Sequence, residues 1–240
     1  MRKLGLALAV AATALTLAMT ATASATPILL TLSGPIAGNT VGPQSTSNPC
    51  VICGTTAQNP ANFGYNNFTE SGAISSYNMY STSVTPSATV PDGMEGMPYT
   101  VSQIQAAVGA GPFDVAIDVN TTGAQSETLQ LFEVIDVHMG VETVIYNYVG
   151  PTTIGGVNNN GNGWADWTLG AIDLSGLGLP STDGILFHAD WNNAVDGAES
   201  FFLVHHVPEP GTWIMMFAGL LGTGWMLRRA RKTEVSRATA

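Results

Sequence analysis

From Thr26 to His206 the chain contains no lysine and no arginine. All seven basic residues lie at the ends, as Arg2, Lys3, Arg228, Arg229, Arg231, Lys232 and Arg237. Fifteen of the seventeen carboxylates fall between them, from Glu70 to Glu199, so with neutral histidines the body carries a formal charge of about −15 against −10 for the whole chain. A surface without cations cannot release counterions from a phosphate backbone, which excludes nucleic acid as a partner. It attracts divalent cations or basic partners instead. Cysteine is nearly absent too, with Cys50 and Cys53 standing alone as a C-x-x-C pair. No histidine follows Cys53, which excludes a c-type haem, and one pair supplies only half of a zinc set. A local disulfide clipping a Pro/Asn/Gly-rich loop is expected, with a metal or redox role as the alternative. Hydrolase signatures of the G-x-S-x-G and H-E-x-x-H kinds are missing, as is any convincing amphipathic helix.

The two ends read as processing segments. Arg2 and Lys3 precede an apolar run from Leu4 to about Met19, and Ala23-Ser24-Ala25 then makes an A-x-A site. This is a secretory signal peptide over residues 1–25, cut between Ala25 and Thr26. At the other end, Gly211 to Leu227 is a run of seventeen uncharged residues. As a helix it is about 25 Å long, at the short end of a membrane span. Arg228, Arg229, Arg231 and Lys232 come next as a stop-transfer cluster that keeps the C-terminus, with the tail 233–240, in the cytoplasm. Pro208 and Pro210 stand before the helix, where they cost no helical hydrogen bond and keep the linker extended.

Val207-Pro208-Glu209-Pro210, the apolar segment with Trp213, and the terminal Arg/Lys cluster together resemble the PEP-CTERM sorting signal of Gram-negative, exopolysaccharide-producing bacteria. The resemblance covers residues 207–232. It implies export by the secretion machinery and a transient stay in the inner membrane. An exosortase-type membrane protease then cuts near Pro-Glu-Pro and moves the body to the cell surface, often among exopolysaccharide and biofilm. The stretches 161–177 and 196–204 are similar to β-rich proteins that bear the same tail.

The body divides into a loop-rich part, residues 26–98, and a strand-rich part, residues 99–206. Ile28–Leu32 and, weakly, Gly72–Thr82 read as strands, with a Gly/Pro/Asn-dense stretch between them. Tyr99–Val108 fits a strand or a short helix. Phe113–Val119 and Thr128–Val137 alternate apolar and polar residues, and Val141–Val149 is rich in β-branched and aromatic side chains. Trp164–Leu174, Gly184–Trp191 and Ser200–His206 supply the last strands. Seven to nine short strands predict an all-β fold, a single β-sandwich or jelly roll.

Carboxylates on these strands, unmatched by lysine or arginine, are expected to face solvent or a cation. The densest oxygen cluster is Asp190, Asn192, Asn193, Asp196 and Glu199, a candidate Ca²⁺ loop whose spacing is not that of an EF-hand. Adjacent His205 and His206 point to opposite faces of a strand and read as surface or linker residues. Trp164, Trp167 and Trp191 are candidates for a sugar-stacking platform or for core. The expected function is that of a non-enzymatic, surface-sorted structural or adhesive protein of the extracellular matrix, with no required cofactor. A carbohydrate- or calcium-binding module is the first alternative. A secreted hydrolase acting through a carboxylate pair is the second.

Overall fold

The computed structural model describes residues 26–53, 72–77, 96–120, 126–157, 162–194, 199–206, 216, 218–221 and 223. Ala23 and Ala25 of the signal site lie outside these residues, as do Asp196, the Val207–Pro210 motif, Trp213 and the basic cluster Arg228, Arg229, Arg231 and Lys232. The described body runs β1 (Ile28–Leu29), β2 (Thr31–Ser33), β3 (Cys50–Ile52), β4 (Gly72–Tyr77), β5 (Tyr99–Thr100), α1 (Val101–Val108), β6 (Phe113–Asp118), β7 (Glu127–His138), β8 (Val141–Ile154), β9 (Trp167–Ile172), β10 (Gly184–Ala194) and β11 (Ser200–His205).

The alternating segments become the middle of the molecule. Phe113, Val115 and Ile117 of β6 turn one way into the core, as the period of two requires. β7 and β8 form a long antiparallel hairpin turned by Met139 and Gly140, both with positive φ, which suits the right-handed twist of the flanking strands. One sheet has the order β1-β8-β7-β10-β4, with β5 also paired to β10; the other has the order β2-β9-β6-β11-β3. Leu129, Phe132, Phe187 and Trp191 from the first meet Val115, Leu169, Phe201 and Leu203 from the second in one apolar cluster. Two sheets closed over a shared core agree with the expected β-sandwich.

Three parts of the sequence reading need correction. The segment after Tyr99 takes the helical one of its two readings, as α1, and so overturns only the expectation that no amphipathic helix is present. Thr100 Oγ1 accepts from Gln103 N–H at 3.1 Å and Gln103 Oε1 accepts from Thr100 N–H at 2.7 Å, a capping box. Val101, Ile104 and Val108 form its buried stripe. Secondly, β8 does not end at Val149 but runs through Pro151 to Ile154. The ladder shifts register there, with Val149 opposite Leu131 and Thr152 opposite Leu129. A bulge is where a strand tolerates a proline, which has no N–H to donate. A Cβ on Gly150 would stand 2.2 Å from the Leu129 carbonyl oxygen, so only glycine fits beside it.

Thirdly, Cys50 and Cys53 do form a disulfide, but not on a loose loop. Cys50 opens β3, which pairs with β11. Both cysteines are buried with Ala116, Ala165, Phe202 and Val204 in a second apolar cluster on the outer side of the β6–β11 sheet. Phe202 and Val204 alternate with the core residues Phe201 and Leu203, so they need a cover of their own, and the disulfide segment provides it.

Candidate functional site

The region that adjoins the sorting tail is built by the last strand. β11 lies between β6 and β3. Beyond its end, His206 N–H donates to the Pro112 carbonyl at 3.3 Å and its ring Nδ1 lies 2.8 Å from Asp114 Oδ1. His206 is therefore a paired residue of the body, whereas the neighbouring His205 is exposed, as two faces of one strand demand. Thr31, Ser33, Asp114, Thr168, Gly170, Ala171 and His206 line an open cleft of about 280 Å³. A Cβ on Gly170 would fall 2.1 Å from Asp114 Oδ1, so the glycine is what lets that carboxyl lie across β9. Burial pushes the Asp114 carboxyl above the ordinary aspartate range, against the opposing hydrogen bond and charge of His206.

The carboxylates that lack a lysine or arginine are matched by other means. His138 Nδ1 is 2.9 Å from Asp183 Oδ1, and His188 lies between Glu133 Oε2 at 2.9 Å and Asp190 Oδ1 at 3.0 Å. Asp166 accepts from the N–H groups of Val119 at 2.9 Å and Val157 at 2.8 Å. Asp118 accepts from Gly163 N–H at 2.7 Å. The histidine partners had no signal in the sequence, because 45 to 55 residues separate His138 from Asp183 and His188 from Glu133 along the chain.

Ser75 Oγ is also 2.9 Å from His188 Nε2, so a serine, a histidine and a glutamate lie in the order that nucleophilic hydrolases use. Asp190 Oδ1 also approaches the same ring nitrogen at 3.0 Å, but it is Ser75 that shares a hydrogen bond with Nε2. The arrangement holds two acids together on the outer face of the first sheet.

The candidate Ca²⁺ loop does not gather. Asp190 turns to His188 on that outer face, Asn192 is half-buried in β10, and Glu199 points between the sheets. Among the described residues, no three His, Cys, Asp or Glu side chains are assembled as a metal site. The tryptophan platform does not form either: Trp191 is sealed in the core, stacked on Phe201 with ring centres 5.4 Å apart. Trp167 Nε1 donates to the Gly155 carbonyl at 3.1 Å and its ring lies against Gly34.

Glu199 instead meets Glu127. Both are closed off from solvent, at 1% and 0% exposure, so no polysaccharide reaches this carboxylate pair. Asn120 N–H donates to Glu199 Oε2. Burial drives the Glu199 carboxyl well above the ordinary glutamate range, helped by the charge of Glu127, a hydrogen bond with it and the charge of Asp118, and opposed by the Asn120 N–H. The folded value lies above the unfolded one, so the stabilisation is whole below about pH 4.3 and is lost as pH climbs through the raised value. In buffer containing a chelator, Tm is expected to fall as pH rises from about 4.3 toward neutrality, and Glu199→Gln to make that fall shallower. Thermal unfolding followed by circular dichroism at several pH values measures both.

From His206 onward the chain matches a known family. A family model described as the PEP-CTERM protein-sorting motif covers residues 206–232. The chain therefore carries a PEP-CTERM sorting motif. It starts at His206, so the PEP-CTERM motif follows directly on β11, the last described strand. The motif implies export, transient association with the membrane and processing by an exosortase. Within it, residues 216, 218–221 and 223 are helical, with Met216, Leu220 and Leu221 exposed. Among the described residues no helix is long and apolar enough to cross a membrane. No curated protein and no solved structure matches the chain.

Proposed function

We propose that the protein is a structural or adhesive component of the extracellular matrix, delivered by a cleaved signal peptide and sorted through its tail. The signal peptide, residues 1–25, is removed after Ala25. Gly211–Leu227 then holds the chain in the inner membrane, stopped by Arg228, Arg229, Arg231 and Lys232. An exosortase-type protease cuts near Pro208–Pro210 and frees an acidic β-sandwich to the surface. The observation that carries this reading is the PEP-CTERM match beginning at His206, directly after β11. Once both ends are lost, the body has no basic side chain. Fifteen carboxylates then let it associate with anionic polysaccharide through shared divalent cations.

The test is intact-mass measurement on protein recovered from the washed matrix fraction. Trypsin has nothing to cut between Thr26 and His206, so digestion is no substitute. The expected species lacks residues 1–25 and everything from the Pro208–Pro210 region onward. Recovery of a full-length C-terminus from the inner membrane, with none in the matrix, would overturn the proposal.

A further inference from the structure

Ser75 of β4, His188 and Asp190 of β10 and Glu133 of β7 come from three neighbouring strands of the first sheet. Register places them. His188 lies opposite Glu133 and Asp190 opposite Ser75, so Ser75 is the diagonal neighbour of His188. Phe187 and Ala189, on either side of His188, enter the core, which turns His188 to the outer face. His188 Nδ1 is 2.9 Å from Glu133 Oε2, and Nε2 is 2.9 Å from Ser75 Oγ. A carboxylate can only accept, so the neutral ring gives its Nδ1 proton to Glu133 and leaves Nε2 to accept from the Ser75 hydroxyl. β10 is bulged against β7 directly after Asp190, a distortion that strands use to re-aim side chains next to active sites. His188 is buried, but Ser75 is half-buried, and the Glu133 and Asp190 side chains keep 20% and 36% of their surface. The group therefore opens toward solvent on the serine side.

We propose that Ser75, His188 and Glu133 form a nucleophilic triad that hydrolyses a short acyl ester of an uncharged alcohol. Ser75 Oγ attacks the ester carbonyl carbon while its proton passes to His188 Nε2. Glu133 is the positioning residue: it holds the ring through Nδ1 and, with Asp190 at 3.0 Å from Nε2, stabilises the imidazolium that forms. The ester C–O bond then breaks, the alcohol leaves with the proton from Nε2, and the acyl group stays on Ser75. Water next gives a proton to Nε2 and attacks the acyl carbon, and the acid departs as Ser75 Oγ regains its hydrogen. Two carboxylates beside the nucleophile set the substrate class, since they repel an anionic acyl group or a phosphate ester. A G-x-S-x-G turn is not required, because triads are defined by geometry and role and recur on unrelated folds. The chemistry also differs from the carboxylate-pair cleavage of glycosides expected as an alternative from the sequence. It adds an activity to the surface role and does not depend on it, so an inert but correctly trimmed protein in the matrix would sink the triad alone.

The test treats the full chain, purified in detergent, with a neutral alkyl fluorophosphonate, which loses fluoride when an activated serine attacks its phosphorus. One adduct per chain is expected. Cleavage after acidic residues places Ser75 in the peptide 71–92, where tandem mass spectrometry locates the adduct. Ser75→Ala is expected to abolish it, and Ser102→Ala, an exposed serine of α1, to leave it unchanged. His188→Gln is expected to slow labelling by about 100-fold or more, the scale of general-base assistance. Glu133→Gln is expected to lower kcat for p-nitrophenyl acetate with KM unchanged, and Glu133→Asp to recover part of the loss, a pattern that a purely structural role would not give. Wild-type chain unfolded in urea is expected not to react. Absence of an adduct on the folded wild type overturns the proposal. So does an adduct that persists in Ser75→Ala or in urea, a labelling rate undiminished in His188→Gln, or a kcat unchanged in Glu133→Gln. Should His188→Gln fail to fold, the comparison of folded with unfolded wild type still decides.

Discussion

Trp191→Ala is expected to lower the unfolding free energy by about 3–5 kcal/mol, the range for removing a large aromatic side chain from a packed interior. Trp191 belongs to β10 and stacks at 5.4 Å on Phe201 of β11, with the rings 9° from parallel. Phe201 stacks in turn at 5.5 Å on Phe132 of β7. The three rings form a column that leaves one sheet, enters the other and returns. All are fully buried, so truncation opens a hole that neighbours in two sheets have no freedom to fill. Against a typical stability of about 5–15 kcal/mol, the loss brings the variant near the edge of folding. Urea unfolding measures it, with half-buried Trp164→Ala as the comparison, expected to cost about 1 kcal/mol. A Trp191→Ala protein as stable as the Trp164→Ala one would show that the column does not hold the sheets together.

A chain ending at Glu199 is expected not to fold, whereas one ending at His206 folds. Phe201, Phe202, Leu203 and Val204 of β11 are all buried. At about 1.5–3 kcal/mol for each buried side chain, their removal costs about 6–12 kcal/mol, as much as the whole stability of an ordinary domain. β3 would also lose the strand it pairs with, and the disulfide segment its support. Beyond His206, by contrast, the described tail residues 216, 218–221 and 223 are exposed. Near-ultraviolet circular dichroism and a cooperative thermal transition distinguish the outcomes. A cooperative transition in the chain ending at Glu199 would count against the central place of β11.

The fold was legible where the two faces of a strand differ in polarity. Phe113 to Asp118 shows its alternation because Phe113, Val115 and Ile117 enter the main core while Asp114 and Asp118 lie on the other face, even though Asp118 is buried there. β3 shows none, because Cys50, Val51 and Ile52 are buried on every side. Apolar content left Tyr99–Val108 open between strand and short helix, while Thr100 and Gln103 in capping-box spacing are the local signal that favours the helix α1. The sorting motif was readable because its chemistry is linear: two prolines, an apolar run and a basic cluster act in sequence. The acid pairings were not. His138 is 45 residues from Asp183, His188 is 55 from Glu133 and His206 is 92 from Asp114, and only strand register brings them together. Glu199 was noticed for its neighbours in the loop, while its actual partner lies across the sandwich.

The placement of β11 has a bearing on the order of events during export. A chain that crosses a membrane amino end first presents β3 and β6 early, and the gap between them stays open until Ser200–His205 emerges. Pairings between such distant segments are slow to form. The PEP-CTERM motif begins directly after that strand, so the strand that fills the gap and the sorting segment are neighbours in the chain. A body without β11 leaves facing edges on β3 and β6, and unpaired strand edges are templates for aggregation, so the last strand to be made is also the one that closes the second sheet against pairing with other chains.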